Sequence, residues 1–330
     1  PLMDMQFGPK EETLRTEVRS FLQSTLKDRP DGESRSDEEF EFAKGFNAEL
    51  GKRGWIAPAW PKEYGGLGAS WAETLAIVRQ LTRVDSSVGH VFAFHHLQLA
   101  SVRLFGRPAQ WEPWLSETAR HNWFWGNALN PLDKRTLARR VGGGREFSGN
   151  KSFCSGALDS DMLLVSALEE SAEGKLIIAA VPTKRAGIRL FEDWDNMGQR
   201  QTDSGSAVFE RVAVAEDEIL ADPGPLSSPR ACLRPLLAQL VFVNVYLGIA
   251  EGAFAEARNY THTQARLWPA SPAADVSEDL YVLRHYGEFW VALEGARKLA
   301  DHAVHLFDAA WNEGASLTEA ARGDVAVAVA

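Results

Sequence analysis

The sequence predicts an α+β chain in three successive regions: an N-terminal helical domain over residues 1–121, a central antiparallel β-barrel domain over 122–225, and a C-terminal helical bundle over 226–330 that stops inside an element. Three features of texture carry this reading. Up to about Ala119 the apolar residues recur at three- and four-residue spacing. After Trp123 short β-rich runs alternate with glycines. Beyond the Pro/Ser stretch Pro223–Pro229, helical spacing returns over longer spans.

In order along the chain, Leu14, Val18, Phe21, Leu22 and Leu26 mark one face of a helix that stops near Pro30. Ser36 with Glu39 makes a capping box for a second helix, lined by Phe42, Ala43, Phe46 and Leu50 and ended by Gly54. The Pro- and Gly-rich stretch Trp55–Trp71 reads as a loop, and Ser70 with Glu73 restarts helix toward Leu81. An apolar helix over Ser86–Phe105, punctuated by Gly106 and Pro108, and a short helix around Trp111–Ala119 close the first region. Strands are expected at Phe147–Ser155, Met162–Ala167, Leu176–Pro182 and Ala207–Val214. Two long helices follow, one ending near Arg266 and the other spanning about Glu278–Trp311; the connector Pro269–Asp275 joins them as part of an antiparallel bundle. A third starts at Leu317-Thr318 and runs into the uncapped apolar Val325–Ala330, which reads as an interrupted helix to be covered by further helices or a partner subunit.

Composition narrows the function. With 45% hydrophobic and 24% charged residues, 11 Trp and 17 Phe among 330 residues, the chain is globular rather than disordered. Acidic residues outnumber basic ones 45 to 35, and a formal charge of −10 leaves no basic footprint for nucleic acid or an anionic membrane. Cys154 and Cys232 are too few for a disulfide framework and lack C-x-x-C spacing, so a reducing cytoplasm is the expected compartment. Asp4, Glu11 and Glu12 argue against a secretory signal. The longest apolar stretch, Leu236–Ala250, is broken by Gln239 and Asn244, so no membrane span is expected. His90, His95 and His96, like His302 and His305, come without an H-E-x-x-H or Cys/His pattern, and no metal is expected. Gly65-Gly66-x-Gly68 and Gly142–Gly144 lack G-x-G-x-x-G spacing after a strand and read as turns.

Ordered local motifs point to one family. Gly54-Trp55-Ile56-Ala57-Pro58-Ala59-Trp60-Pro61-Lys62-Glu63-Tyr64-Gly65-Gly66 and Trp194-Asp195-Asn196-Met197-Gly198-Gln199-Arg200 resemble the acyl-CoA dehydrogenase superfamily. Asn122–Ala128, Lys151–Gly156, Arg200–Ser206, Ala238–Ala250 and Tyr260–Trp268 sharpen the resemblance to its reduced-flavin-dependent monooxygenase branch, typified by dibenzothiophene monooxygenase. The similarity extends from about Trp55 to Arg322. It implies the acyl-CoA dehydrogenase fold, with Asn127, Phe153, Ser155, Trp194 and Ser204 around FMN and Arg266 reaching a phosphate across a subunit boundary of a homotetramer. The flavin would arrive reduced from a separate NADH-dependent flavin reductase. It would react with dioxygen and oxygenate a small apolar substrate, aromatic or organosulfur, through a C4a-hydroperoxyflavin. The resemblance also implies a flavin-facing histidine in helices beyond residue 330.

The residue types suit that chemistry: Trp194 and Phe153 can wall a flat ring, Asn127, Ser155 and Ser204 can hydrogen-bond its polar edge, and Arg266 can grip a phosphate in bidentate fashion. Ser155 is the candidate catalytic group at the flavin edge. His90, Phe94 and His95 are candidates for the substrate pocket, with His96 beside them, and Phe94 stands where the family's relative carries a tyrosine. Taken singly, Trp194 could be a core aromatic, Asn127 a turn residue and Arg266 a helix C-cap, while Cys154 reads as a buried structural residue. Alternatives are an FAD-dependent acyl-CoA dehydrogenase and a truncated, non-catalytic flavin-binding subunit. The Gln264-Ala265-Arg266-Leu267-Trp268 ending of the first bundle helix departs from the dehydrogenase pattern.

Overall fold

The computed structural model describes residues 9–28, 42, 45–46, 49–55 and 58–330. Helix α1 (Pro9–Thr25) buries Val18, Phe21 and Leu22, and Phe21 meets Trp55 edge-on at 5.3 Å. Phe46 and Leu50, expected on the face of the next helix, are buried; the Ser36/Glu39 capping box and Ala43 lie outside the described residues. Helices α2 (Trp71–Val84), α3 (Ser86–Phe105) and α4 (Pro108–His121) complete the first region. The expected cap of α2 is present: Ser70 Oγ accepts from Glu73 N at 3.1 Å while the Glu73 carboxylate accepts from Ser70 N at 2.7 Å.

The last region holds α5 (Leu233–Thr263), α6 (Leu280–Glu313) and α7 (Glu319–Val329), the last capped by Thr318 accepting from Ala321 N. Asp308 of α6 accepts from Trp71 N and Ala72 N at 2.6 and 2.8 Å, placing a carboxylate on the positive end of α2. One buried polar cluster ties three helices together: Arg79 of α2 donates to Asn244 of α5 and to Asp301 of α6, the ion pair closing at 2.7 Å.

Between the helical regions, one seven-stranded sheet comprises β1 (Trp125–Ala128), β2 (Leu137–Val141), β3 (Gly144–Lys151), β4 (Met162–Glu169), β5 (Leu176–Pro182), β6 (Ile188–Leu190) and β7 (Ala207–Ala215). Its order is β1-β4-β2-β3-β7-β6, with β5 on the other side of β4. The expected antiparallel pairing holds for β2·β3, β3·β7, β6·β7 and β4·β5, and β4 adds parallel contacts with β1 and β2. Phe147, Phe209, Val212 and Val165 fill the sheet's own core; Trp125 and Leu164 look the other way into the helical core. The strand expected over Phe147–Ser155 ends at Lys151, and the four residues after it leave the ladder.

Helix α5 corrects one expectation. By length and composition it is apolar enough to cross a membrane, since an isolated Gln and Asn do not offset so many aliphatic residues. Half of its apolar window is buried inside the protein, and a Cβ added at Gly248 would lie 2.5 Å from the Arg79 carbonyl, so α5 runs almost backbone to backbone with α2.

Candidate active site

The site grows from the segment that leaves β3. Cys154 N donates to Gly205 O, Gly156 N to Thr202 O, and Asn127 N to Ser155 O, at 2.9, 2.9 and 3.1 Å. The segment is thus fixed between β1 and residues 202–205. Gly156 has φ +65°, and a Cβ there would sit 2.8 Å from the Phe124 ring. Phe153 also has positive φ, +58°, a conformation that costs a non-glycine residue roughly 1–2 kcal/mol. Its ring is 61% exposed and meets Trp194 edge-on at 5.8 Å, and Trp194 is held by its indole N–H donating to Gln199 O at 2.8 Å. The outcome is a presented aromatic wall.

Beside that wall lies a directed hydrogen-bond chain. Thr202 Oγ1 donates to Gln199 O at 2.9 Å, which uses its one proton. The 2.7 Å contact between Ser204 Oγ and Thr202 Oγ1 therefore has Ser204 as donor. By the same count, Ser155 donates across its 2.8 Å contact to Ser204, and His90 Nε2 donates to Ser155 Oγ at 3.2 Å. The chain specifies the Nε2–H tautomer of His90 and leaves Nδ1 as an acceptor. Burial pushes the His90 pKa down to about 4, so the ring is neutral at pH 7. Phe94 stacks on His90 at 4.4 Å, and Phe242 of α5 closes edge-on against both rings.

His95 and His96 serve the fold more than the site. His95 Nδ1 accepts from Trp125 N at 3.1 Å and its ring stacks on Phe124 at 5.1 Å, which anchors β1 to α3. His96 is fully buried, donates from Nδ1 to Phe92 O, and is held neutral by burial, its pKa lowered to about 4. Cys154 is buried and its thiol is pushed up to about 12, which agrees with a structural role. Among the described residues no group of three or more His, Cys, Asp or Glu is placed to hold a metal ion.

The structure therefore brings together Asn127, Phe153, Ser155, Trp194, Ser204, His90 and Phe94, and leaves Arg266 apart. Arg266 is exposed in the connector after α5. Phe242, at the site, and Thr263, at the end of that helix, are separated by about 30 Å of helix axis at 1.5 Å per residue. Sequence reasoning missed Thr202, Gln98 and Phe242 as site residues. Thr202 and Phe242 fall inside the quoted motifs, whereas Gln98 carries no local signal.

These groups fit a reduced-flavin cofactor on the structure's own terms. An isoalloxazine requires a flat apolar wall and hydrogen bonds along one edge. The exposed Phe153 ring and Trp194 could supply the first, and Asn127, Ser155 and Ser204 the second.

The fold and the site define an acyl-CoA dehydrogenase-type flavoprotein. Residues 8–122, 126–212 and 240–330 match the N-terminal, middle and C-terminal domains of acyl-CoA dehydrogenase, so the chain belongs to that family. Relatives that share 40% or more of its aligned residues are named as monooxygenases, whereas acyl-CoA dehydrogenases match at 25% or less. The chain is 62% identical over 269 residues, 82% of this chain and 68% of the other, to a probable FMNH2-dependent monooxygenase, SfnC, of Pseudomonas putida. It superposes on methanesulfinate monooxygenase MsuC of Pseudomonas fluorescens with a TM-score of 0.87 at 55% identity, covering 98% of this chain and 81% of that one. On FMN-bound TdsC of Paenibacillus sp. A11-2, a dibenzothiophene monooxygenase, the values are 0.83, 33%, 97% and 82%.

Proposed function

We infer that this chain is the oxygenase of a two-component flavin-dependent monooxygenase system, using reduced FMN and dioxygen to oxygenate a small organosulfur compound. The observation that carries this reading is the directed chain from His90 to Thr202 set next to the presented Phe153–Trp194 wall. The similarity to FMN-using monooxygenases favours it over the acyl-CoA dehydrogenase reading.

When bound, reduced FMN supplies the two electrons with which one oxygen atom of O2 goes to the substrate and the other leaves as water. The chain's residues do the rest. Phe153 and Trp194 flank the ring, while the Asn127 amide, Ser155 and Ser204 take its polar edge. His90 presents the Nδ1 lone pair of a neutral ring, an acceptor for a proton released at the reacting edge. Phe94 and Phe242 pack around His90 and exclude water, which limits wasteful release of peroxide. A small organosulfur substrate such as the sulfinate after which MsuC is named is the first candidate.

The finer assembly belongs to the same proposal. Tyr260, Trp268, Tyr281, Phe289, Trp290 and Val291 are each more than half exposed, an apolar surface suited to packing against other copies in a homotetramer. In such an assembly a neighbouring copy, rather than the distant end of α5 in the same chain, delivers Arg266 to the flavin phosphate. A separate NADH-dependent reductase supplies the flavin, in the cytoplasm.

The test mixes the protein with photoreduced FMN and methanesulfinate, admits air, and compares oxygen uptake, sulfonate and hydrogen peroxide. Sulfonate matching oxygen uptake is expected. If every organosulfur compound tried leaves only peroxide, while acyl-CoA with FAD reduces an electron acceptor, the dehydrogenase reading replaces this one.

A further inference from the structure

We propose that Gln98, on α3 and remote from any quoted motif, is a positioning residue that fixes which end of the Asn127 amide faces the flavin. The proposal rests on the flavin-site reading above. Asn127 Oδ1 accepts from Leu129 N at 3.2 Å, and a backbone N–H can only donate, so the oxygen end of this amide is identified by the backbone itself. Gln98 Nε2 donates to the same oxygen at 3.0 Å. Two donors converge on Oδ1, and Nδ2 is turned toward the segment that carries Phe153 and Ser155. Among the described residues its only hydrogen-bond partner there is Phe153 O, at a long 3.4 Å. Nδ2 has two N–H groups, so at least one is left to donate to a ligand.

Gln98 itself is 0% exposed, and its Oε1 is buried without a hydrogen-bond partner among the described residues. A buried carbonyl left unpaired is destabilising, so the side chain is not explained by fold stability alone. Its amide donates from the NH2 end, where it holds Asn127, and is without a partner at the carbonyl end among the described residues. Gln98 therefore pre-orients a donor toward an acceptor on the flavin's polar edge, without touching the cofactor.

The test measures the affinity of oxidised FMN by flavin fluorescence in wild type, Gln98→Met, Gln98→Glu, Asn127→Ala and Gln98→Met/Asn127→Ala, with a thermal melt of each. Gln98→Met keeps the volume and removes the donor, and is expected to weaken FMN binding about tenfold. Gln98→Glu sets an acceptor opposite Asn127 Oδ1 and is expected to weaken it at least as much. Gln98→Met in the Asn127→Ala background is expected to add nothing, because the group it positions is gone; a purely structural role would lower affinity in both backgrounds alike. Unchanged affinity in Gln98→Met with wild-type binding intact overturns the role of Gln98 and leaves the flavin site standing. Absence of FMN binding by the wild type overturns both.

Discussion

The two halves of α5 are one continuous helix with opposite surroundings. Its first part, through Gly252, lies against α2 and α3, contributes Asn244 to the buried Arg79–Asp301 pair, and sets Phe242 against His90. Its second half passes Tyr260 and leads to Trp268 and Arg266 on a surface continuous with the exposed aromatics of α6. Under the proposed function, this difference divides the flavin site between copies. The polar groups and the aromatic wall are brought together by packing within the chain, whereas Arg266, the proposed phosphate grip, is exposed beyond the outer half of the helix.

Substitutions among the residues packed on the inner half should unfold the chain, and those on the outer surface that α5 shares with α6 should take copies apart. The largest effect is expected from Asp301→Leu, which leaves Arg79 buried without its carboxylate and should lower stability by about 3–5 kcal/mol in urea melts. Tyr281→Ser on the outer surface should leave the melt of the dissociated chain unchanged and shift the sedimentation profile toward smaller species.

Next comes pH. His90 and His96 titrate near 6.5 when unfolded and at about 4 when folded, both lowered by burial. Above pH 6.5 both states are neutral. As pH falls toward 4 the unfolded chain takes up protons that the folded chain refuses, so stability is present above 6.5 and lost through that window. The loss should amount to about 2 kcal/mol between pH 6 and 5, read from urea midpoints. Substituting both histidines with apolar residues should flatten the slope.

Gly248→Ala drives a methyl into the Arg79 carbonyl and should destabilise by about 1–3 kcal/mol. Gly287→Ala on the outer stretch of α6 meets nothing within 4 Å and should stabilise the helix by roughly 0.5–1 kcal/mol. The smallest change concerns one proton. Thr202→Val removes the acceptor at the end of the chain and should convert a single Nε2–H tautomer of His90 into a mixture, seen in the imidazole 15N shifts.

The long periodic elements were legible because their signals are local. Ser70 with Glu73 names its own helix start, and the spacing over Ser86–Phe105 matches the observed helix. β1, β2 and β6 were not, since a four-residue strand buried on both faces, a strand with two adjacent arginines and a three-residue edge strand show no alternation to read. Ser155 and Ser204, which the family motifs carried, lie in hydrogen-bond contact, and His90, outside those motifs, joins them. What the sequence could not show was the left-handed turn at Phe153, the proton order through Thr202, and Gln98, all of which depend on contacts between distant segments.

The division of the flavin site between copies is tested most directly by mixing two inactive variants, Arg266→Ala and Ser155→Val, unfolding and refolding them together, and titrating with FMN. In a site shared between copies, the Arg266→Ala chain offers an intact floor and the Ser155→Val chain an intact arginine, so mixed assemblies should regain a fraction of tight FMN sites that neither variant has alone. No recovery, with mixed assemblies demonstrated by mass, would place Arg266 and Ser155 in the same chain's site and contradict the account.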